Sequence, residues 1–320
     1  MKTIGVLTSG GDAPGMNAAV RAVVRTCCAN NIKVFAIKRG YAGLISGQLE
    51  QADVNSVSDI LYKGGTALGS ARCKEFQSED GMQKAIETCR KNGIEGLVVI
   101  GGDGSFRGAS ALSERGLPCV GVPATIDNDI ACSDYTIGYD TCLNTVMDMV
   151  DKISDTAKSH DRCTVVEVMG RDAGFLTLNA GIAVGATAIV VPEIKVHVKE
   201  HIISHIENSR EKGKKHFIIM IAEGVGGVEA LAEYIEEKTG IESRASILGH
   251  VQRGGSPTVR DRVLASEMGY SAVKLLMQGM GNRVVAIKKD EIVNYDIYEA
   301  LNMKKTIDQA FYNMAHEISI

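Results

Sequence analysis

One succession recurs along the chain and constrains its fold more than any other feature: a short run of β-branched and aliphatic residues, a glycine-rich turn, then a stretch with helical apolar spacing. It is the signature of βα units feeding a parallel sheet. Ile4 to Thr8 runs into Ser9-Gly10-Gly11-Asp12-Ala13-Pro14-Gly15, and Asn17 to Asn30 continues as helix, with Pro14 suited to its first turn. Leu97 to Ile100 enters Gly101-Gly102-Asp103-Gly104-Ser105, and Cys119 to Val122 enters Pro123 to Asp129. Later, Val165 to Val168 precedes Met169-Gly170-Arg171, Ile218 to Ala222 precedes Glu223-Gly224, and Ile247-Leu248 precedes Gly249-His250-Val251-Gln252-Arg253. Ligands of such sheets bind at the strands' C-terminal ends, so these polar turns are the candidate site.

Composition narrows the function classes. With 320 residues, 45% of them hydrophobic and 23% charged, the chain can bury a substantial core as one large domain or two moderate ones. No apolar run approaches the roughly 18 to 20 residues of a membrane span, and Ser9-Gly10-Gly11-Asp12 interrupts the N-terminal run before it could serve as a signal peptide. A cytoplasmic protein is expected. Cysteines 27, 28, 73, 89, 119, 132, 142 and 163 form no C-x-x-C pair and read as reduced thiols. A net charge of -4 argues against a general nucleic-acid surface while leaving room for a local basic pocket for a small anion.

Gly10-Gly11 and Gly101-Gly102-Asp103-Gly104 allow backbone amides to approach phosphate oxygens, and a following helix N-terminus adds a favourable dipole. Tight turns alone also demand glycine, so each loop by itself is a weak signal. Neither fits G-x-x-x-x-G-K-[ST] nor the dinucleotide spacing G-x-G-x-x-G, which disfavours P-loop ATPases and Rossmann dehydrogenases. Asp103 between two glycines is either a helix cap or a magnesium ligand. In Thr125-Ile126-Asp127-Asn128-Asp129, an extended turn would bring both carboxylates to one side, one as base and one as metal partner. The competing reading is that Asp and Asn are turn formers bonding their own backbone.

His197, His201 and His205 recur at i, i+4 and i+8, which on a helix aligns three imidazoles and raises a metal site. We read them instead as a solvated face: Val198, Ile202, Ile203 and Ile206 supply the buried stripe, and no carboxylate motif accompanies the histidines.

Gly5 to Asn17, Gly101 to Ser105, P-x-T-I-D-N-D at Pro123 to Asp129, Met169-Gly170-Arg171 and G-H-V-Q-R-G-G-S-P at Gly249 to Pro257 together resemble the bacterial ATP-dependent 6-phosphofructokinases along nearly the whole chain. The resemblance implies an α/β subunit of two Rossmann-like three-layer domains with mainly parallel sheets and an active site in the cleft between them. It implies 1-138 plus 251-301 as the larger, ATP-binding domain and 139-250 plus 302-320 as the smaller, fructose 6-phosphate-binding domain, in a homotetramer. The implied reaction moves the ATP γ-phosphoryl group to the 1-hydroxyl of fructose 6-phosphate.

Carried over by position, Asp127 is the base, with Gly11, Arg72, Thr125 and Arg171 around the moving phosphoryl group. Gly11, Tyr41, Arg72, Cys73, Gly102, Asp103, Gly104 and Ser105 surround the nucleotide, and Asp103 with Asp129 holds Mg2+. The sugar phosphate is met by Thr125, Ile126, Asp127, Met169, Gly170, Arg171, Glu223, His250, Val251, Gln252 and Arg253, with Arg162 and Arg244 from a neighbouring subunit. Pyrophosphate users in this group carry Asp at position 104 and Lys at 124; this chain has Gly104 and Ala124, which favours ATP, although Gly is more usual at 124. A pyrophosphate-dependent enzyme and a non-catalytic sugar-phosphate sensor are the alternatives.

An effector site for ADP or phosphoenolpyruvate is implied at Arg21, Ala22, Val23, Val24, Arg25, Asp59, Ser154, Gly185, Ala186, Thr187, Lys212, Lys214, Lys215 and His216. Ser154 stands where Arg is common and Thr187 where Glu approaches the effector's magnesium, so weak regulation is expected.

Overall fold

Each of the six β-branched runs forms strand, the last ending one residue early at Ile247. The computed structural model describes residues 1–194 and 197–319, the side chain of Val198 excepted. In chain order the elements are β1 (Thr3–Thr8), α1 (Met16–Ala29), β2 (Lys33–Ile37), α2 (Gly40–Ser46), β3 (Leu49–Ala52), α3 (Glu79–Lys91), β4 (Gly96–Gly101), α4 (Asp103–Glu114), β5 (Cys119–Pro123) and α5 (Tyr139–Ser159). They continue with β6 (Cys163–Val168), α6 (Phe175–Ala183), β7 (Ala188–Val190), α7 (Val198–Glu211), β8 (Phe217–Ala222), α8 (Val228–Thr239) and β9 (Ser243–Ile247). The last are α9 (Val259–Met277), β10 (Arg283–Lys288), β11 (Glu291–Asp296), α10 (Ile297–Asn302) and α11 (Gln309–Glu317).

Two compact units result. Unit 1 comprises Met1–Ile126, Ile130–Thr141 and Arg253–Lys305; unit 2 comprises Asp127–Asp129, Cys142–Gln252 and Thr306–Ile320. Unit 1 is built on a seven-stranded sheet in the order β11-β10-β5-β4-β1-β2-β3. Its inner pairs are parallel, and only the edge strands β3 and β11 run antiparallel. Pleat alternation sends Leu97 and Val99 of β4 into one cluster with Tyr41, Ile86, Phe106 and Ile297, from α2, α3, α4 and α10. Helices α1 and α9 pack on each other and on the inner strands. Gly269 permits their close crossing, because a Cβ there would lie 2.7 Å from the Ala19 carbonyl oxygen. Unit 2 holds a four-stranded parallel sheet, β7-β8-β6-β9. Phe217, Ile219 and Ile221 of β8 pack there with Ile202 and Ile206 of α7 and Leu231 and Ile235 of α8.

Three expectations are corrected. Pro14 precedes the helix: it is a central residue of the Ala13–Met16 turn, whose Met16 N–H donates to the Ala13 carbonyl at 3.2 Å, and Gly15 at φ 102° is the N-cap. Asn128 adopts φ 52°, so the Asp127–Asp129 turn is not extended and strand alternation does not bring the two carboxylates to one side. The histidines of α7 are not a solvated face. His197 is an exposed N-cap, but His201 and His205 are half-buried because the C-terminal helix α11 lays His316 against them, with ring centroids 4.6 and 5.1 Å away. Ile202 and Ile206 are buried as expected; the side chain of Val198 lies outside the described residues.

All eight cysteines are free thiols, and burial pushes Cys89 and Cys163 up to about 12, so neither is a nucleophile at neutral pH. Among the described residues no helix is long and apolar enough to cross a membrane.

Candidate active site

In unit 1 the polar turns follow β1, β4 and β5, which are neighbours in the sheet, so their C-terminal ends lie side by side. The strand order reverses between β1 and β4, the position where doubly wound sheets take ligands. Gly10 turns at φ 87°. A Cβ on Gly101 would lie 2.4 Å from the Ser9 carbonyl oxygen, so this glycine is dictated by packing. Gly102 and Gly104 are different. Neither has positive φ, and a Cβ on either would meet nothing within 4 Å. No contact inside the chain demands glycine there.

Gly102 is the N-cap of α4 and Asp103 its first residue, so Asp103 is not the cap, and its carboxylate sits at the positive end of the helix. Ser105 is buried beneath this turn. Tyr41 supports it from behind: its ring is buried, stacks on Phe76 at 4.0 Å, and its hydroxyl donates to the Ser105 carbonyl at 2.6 Å. Ser70, which the sequence reading passed over, donates its hydroxyl to the Gly10 carbonyl and so holds the segment leading to exposed Arg72 and half-buried Cys73. Arg253 belongs to unit 1 as well. Its guanidinium lies over Gly11, where a Cβ would be 2.7 Å from Nη1, and donates to the Asp12 carbonyl at 3.2 Å.

Unit 2 gathers the other set. The turns after β8, β6 and β9 are again neighbours. The Glu223 carboxylate accepts from the backbone amides of Gly170, at 3.1 Å, and of Arg171. Buried Gln252 accepts from the Met169 amide at 3.1 Å and donates to the Gly249 carbonyl at 3.0 Å. These contacts hold Gly170 at φ 145° and Arg171 at φ 54°, a conformation a non-glycine residue adopts only when its surroundings dictate it. The result aims one side chain: the Arg171 Nε lies 3.5 Å from Oδ2 of Asp127, which is 1% exposed. Asp129 and Thr125 are half-buried and Ile126 buried, whereas His250 and Val251 are exposed on the turn after β9.

Arg162 and Arg244 are not in this group. Both pair with Glu242, at 2.8 and 2.6 Å, and hold its carboxyl below the usual range. Arg162 precedes β6 and Arg244 stands level with Thr164 near the start of β9. Strand residues advance about 3.3 Å each, so the length of β6 separates them by roughly 20 Å from the turn at Arg171.

Of the expected effector residues, Arg21, Ala22, Val23, Val24, Arg25 and Asp59 belong to unit 1, with Arg25 and Asp59 exposed. In unit 2, Lys212 and Lys215 are exposed, while burial lowers Lys214; burial and then the charges of Lys214 and Lys158 lower His216. Ser154 is half-buried, Gly185 exposed and Ala186 buried. Thr187 is buried at the start of β7.

Glycine turns beside the sheet's reversal point in unit 1 and, in unit 2, a buried carboxylate facing an arginine are features found in phosphate-handling α/β enzymes. A profile of the phosphofructokinase family matches residues 3–276, and the chain belongs to that family. The ATP-dependent 6-phosphofructokinases of Bacillus pumilus and Bacillus subtilis are 56% and 55% identical to it over 320 residues, all of each chain. The solved phosphofructokinase of Saccharomyces cerevisiae shares 36% identity at a TM-score of 0.90, covering 100% of this chain and 48% of that one, so this chain spans about half that subunit's length. A pyrophosphate-dependent phosphofructokinase from Marinobacter aquaeolei, at 24% identity and TM-score 0.86 over 96% of this chain and 86% of that one, shares the fold.

Proposed function

We propose that this chain transfers the γ-phosphoryl group of ATP to the 1-hydroxyl of fructose 6-phosphate, giving fructose 1,6-bisphosphate and ADP. The observation that carries the proposal is the buried Asp127 carboxylate facing Arg171 at the end of P-x-T-I-D-N-D. A carboxylate so placed accepts the hydroxyl proton as the oxygen attacks, a role worth roughly 10²–10⁴ in rate. Phosphoryl transfer otherwise depends on positioning and charge stabilisation. Gly11, Arg72, Thr125 and Arg171 are the groups we assign to the charge on the moving phosphoryl group.

The open space at Gly102 and Gly104 supports a nucleotide donor, since their backbone can meet phosphate oxygens without a Cβ between. Asp103 beside them is a hard oxygen donor of the kind Mg2+ prefers, and is the carboxylate we assign to it. When bound, Mg2+ neutralises charge on the donor phosphates. Met169, Gly170, Arg171, His250 and Arg253 are assigned to the sugar phosphate, with Glu223 and Gln252 fixing the turn that carries Arg171.

The placement of Arg162 and Arg244 at the far end of their sheet supports the proposal that they serve a neighbouring subunit's sugar phosphate in a tetramer. The cationic surroundings of His216 support an anionic effector, and the buried Thr187, which offers no carboxylate to an effector's cation, supports weak regulation by ADP or phosphoenolpyruvate. The cytoplasm is the proposed compartment.

A coupled aldolase assay with fructose 6-phosphate and either ATP or pyrophosphate tests the reading. Activity with ATP is expected. Activity with pyrophosphate alone, or sugar-phosphate binding without product, would overturn it.

A further inference from the structure

We propose that His201, His205 and His316 form a site for a zinc-class divalent ion that ties the C-terminal helix α11 to α7. The three rings form a closed triangle: His201 and His205 are 4.5 Å apart by centroid, His201 and His316 4.6 Å, and His205 and His316 5.1 Å. One nitrogen from each lies within 4.8 Å of the other two. Among the described residues this is the one group of three or more His, Cys, Asp or Glu side chains so arranged.

Unmet hydrogen-bonding capacity points to an ion and not to mere packing. Nε2 of His201 and both ring nitrogens of His316 are buried without a hydrogen-bond partner. The Ile189 carbonyl, which accepts from the Tyr312 hydroxyl at 3.1 Å, also faces His316 and has a second lone pair for it, which leaves Nε2 of His201 and one His316 nitrogen unmet. Buried polar atoms are otherwise nearly always paired, and two meeting in one triangle of imidazoles call for an explanation that a shared ion supplies.

The donor set selects the ion. Neutral imidazoles suit zinc, copper, nickel and cobalt, whereas Mg2+ and Ca2+ take oxygen ligands. Zinc–nitrogen bonds of about 2.0–2.1 Å set tetrahedral donors roughly 3.4 Å apart, so closing the triad needs inward movements of about an ångström, within the range of imidazole χ2 rotation. Three protein ligands leave the fourth tetrahedral position to water. The helix pairing follows from sequence separation: His201 and His205 are one turn apart on α7, and His316 comes from the last turn of α11, which packs on α6 and β7. The site lies within unit 2 and does not depend on the proposed phosphoryl transfer.

The test is zinc binding by the full chain, measured by competition with a chromophoric chelator and by thermal unfolding with and without zinc. The wild type is expected to bind about one equivalent tightly and to gain thermal stability with zinc concentration. His316→Ala and His205→Gln should each lose at least the 10- to 100-fold in affinity that even an outer-shell partner is worth, together with the thermal gain. His197→Ala, at an exposed position, should retain both. His205→Gln keeps a polar side chain on the half-buried face and carries the test if His316→Ala fails to fold. Cobalt substitution separates this site from half-buried Cys28 and Cys73, because an all-imidazole site shows no thiolate charge-transfer band. Unchanged zinc affinity in His205→Gln, or a thiolate band in the cobalt form, would overturn the proposal.

Discussion

Two buried carboxylates, Asp127 at 1% exposure and Asp261 at 0%, divide the labour of this molecule. Asp261 belongs to the junction of two helices. It lies in the first turn of α9, yet its carboxylate accepts from the Gly138 amide at 2.9 Å, the Thr141 amide at 2.8 Å and the Thr141 hydroxyl, which caps the start of α5. Three donors within the chain occupy it, and it is a structural anchor. Asp127 instead faces an arginine whose side chain is 62% exposed and whose backbone is held at positive φ by Glu223. The lesson is that burial of a charge does not mark a site; a partner that is itself held in place yet open to solvent does.

Substitutions at the two carboxylates should separate chemistry from stability. The largest effect is expected for Asp127→Asn, with kcat down by about 10²–10⁴ while KM for both substrates and the unfolding midpoint stay near wild type. Steady-state kinetics beside denaturant unfolding read this, and a large loss of stability would make Asp127 an anchor like Asp261. Next, Asp261→Ala strands two buried amides and a hydroxyl and should cost about 3 kcal/mol in denaturant unfolding, with kcat of the folded enzyme little changed. If kcat fell as far as for Asp127→Asn, the division would fail.

A smaller effect tests the phosphate turn. Gly104→Asp adds a side chain into open space, so thermal unfolding should not move, but its charge should lower kcat/KM for ATP by at least about 10-fold. Smallest is a pH effect. Burial raises the Asp261 carboxyl above its ordinary value, against the hydrogen bonds that favour its charged form. A raised carboxyl contributes stability that is fully present below the unfolded pKa and is lost as pH rises through the folded value. Wild type should therefore gain in unfolding midpoint on Asp261→Asn as pH falls through that raised value, and the gain should level off below about 3.9.

The same contrast shows what was legible in the sequence. Strand runs and the turns after them were readable because short continuous apolar runs ending in polar or glycine-rich turns suit strands buried on both faces of a parallel sheet. The P-x-T-I-D-N-D motif pointed to Asp127, but not to the left-handed Asn128 that bends the turn, since Asn tolerates both conformations. Thr258-x-x-Asp261 has the form of a helix start, and Thr258 does cap α9. Nothing local announces that Asp261 also caps a helix 120 residues earlier. Arg253 stood in a motif assigned to the sugar phosphate, but its contact with Gly11, more than 200 residues earlier, has no local signal. The α7 histidines were misread for the same reason: His316, which turns their face inward, lies more than a hundred residues away.

Donor and acceptor are read together by phosphorus NMR of the wild type with fructose 6-phosphate and equal ATP and pyrophosphate. Loss of the γ-phosphorus signal of ATP, matched by a new 1-phosphate on the sugar while pyrophosphate persists, is the predicted result. Consumption of pyrophosphate, or release of free phosphate without a 1-phosphate, would contradict it.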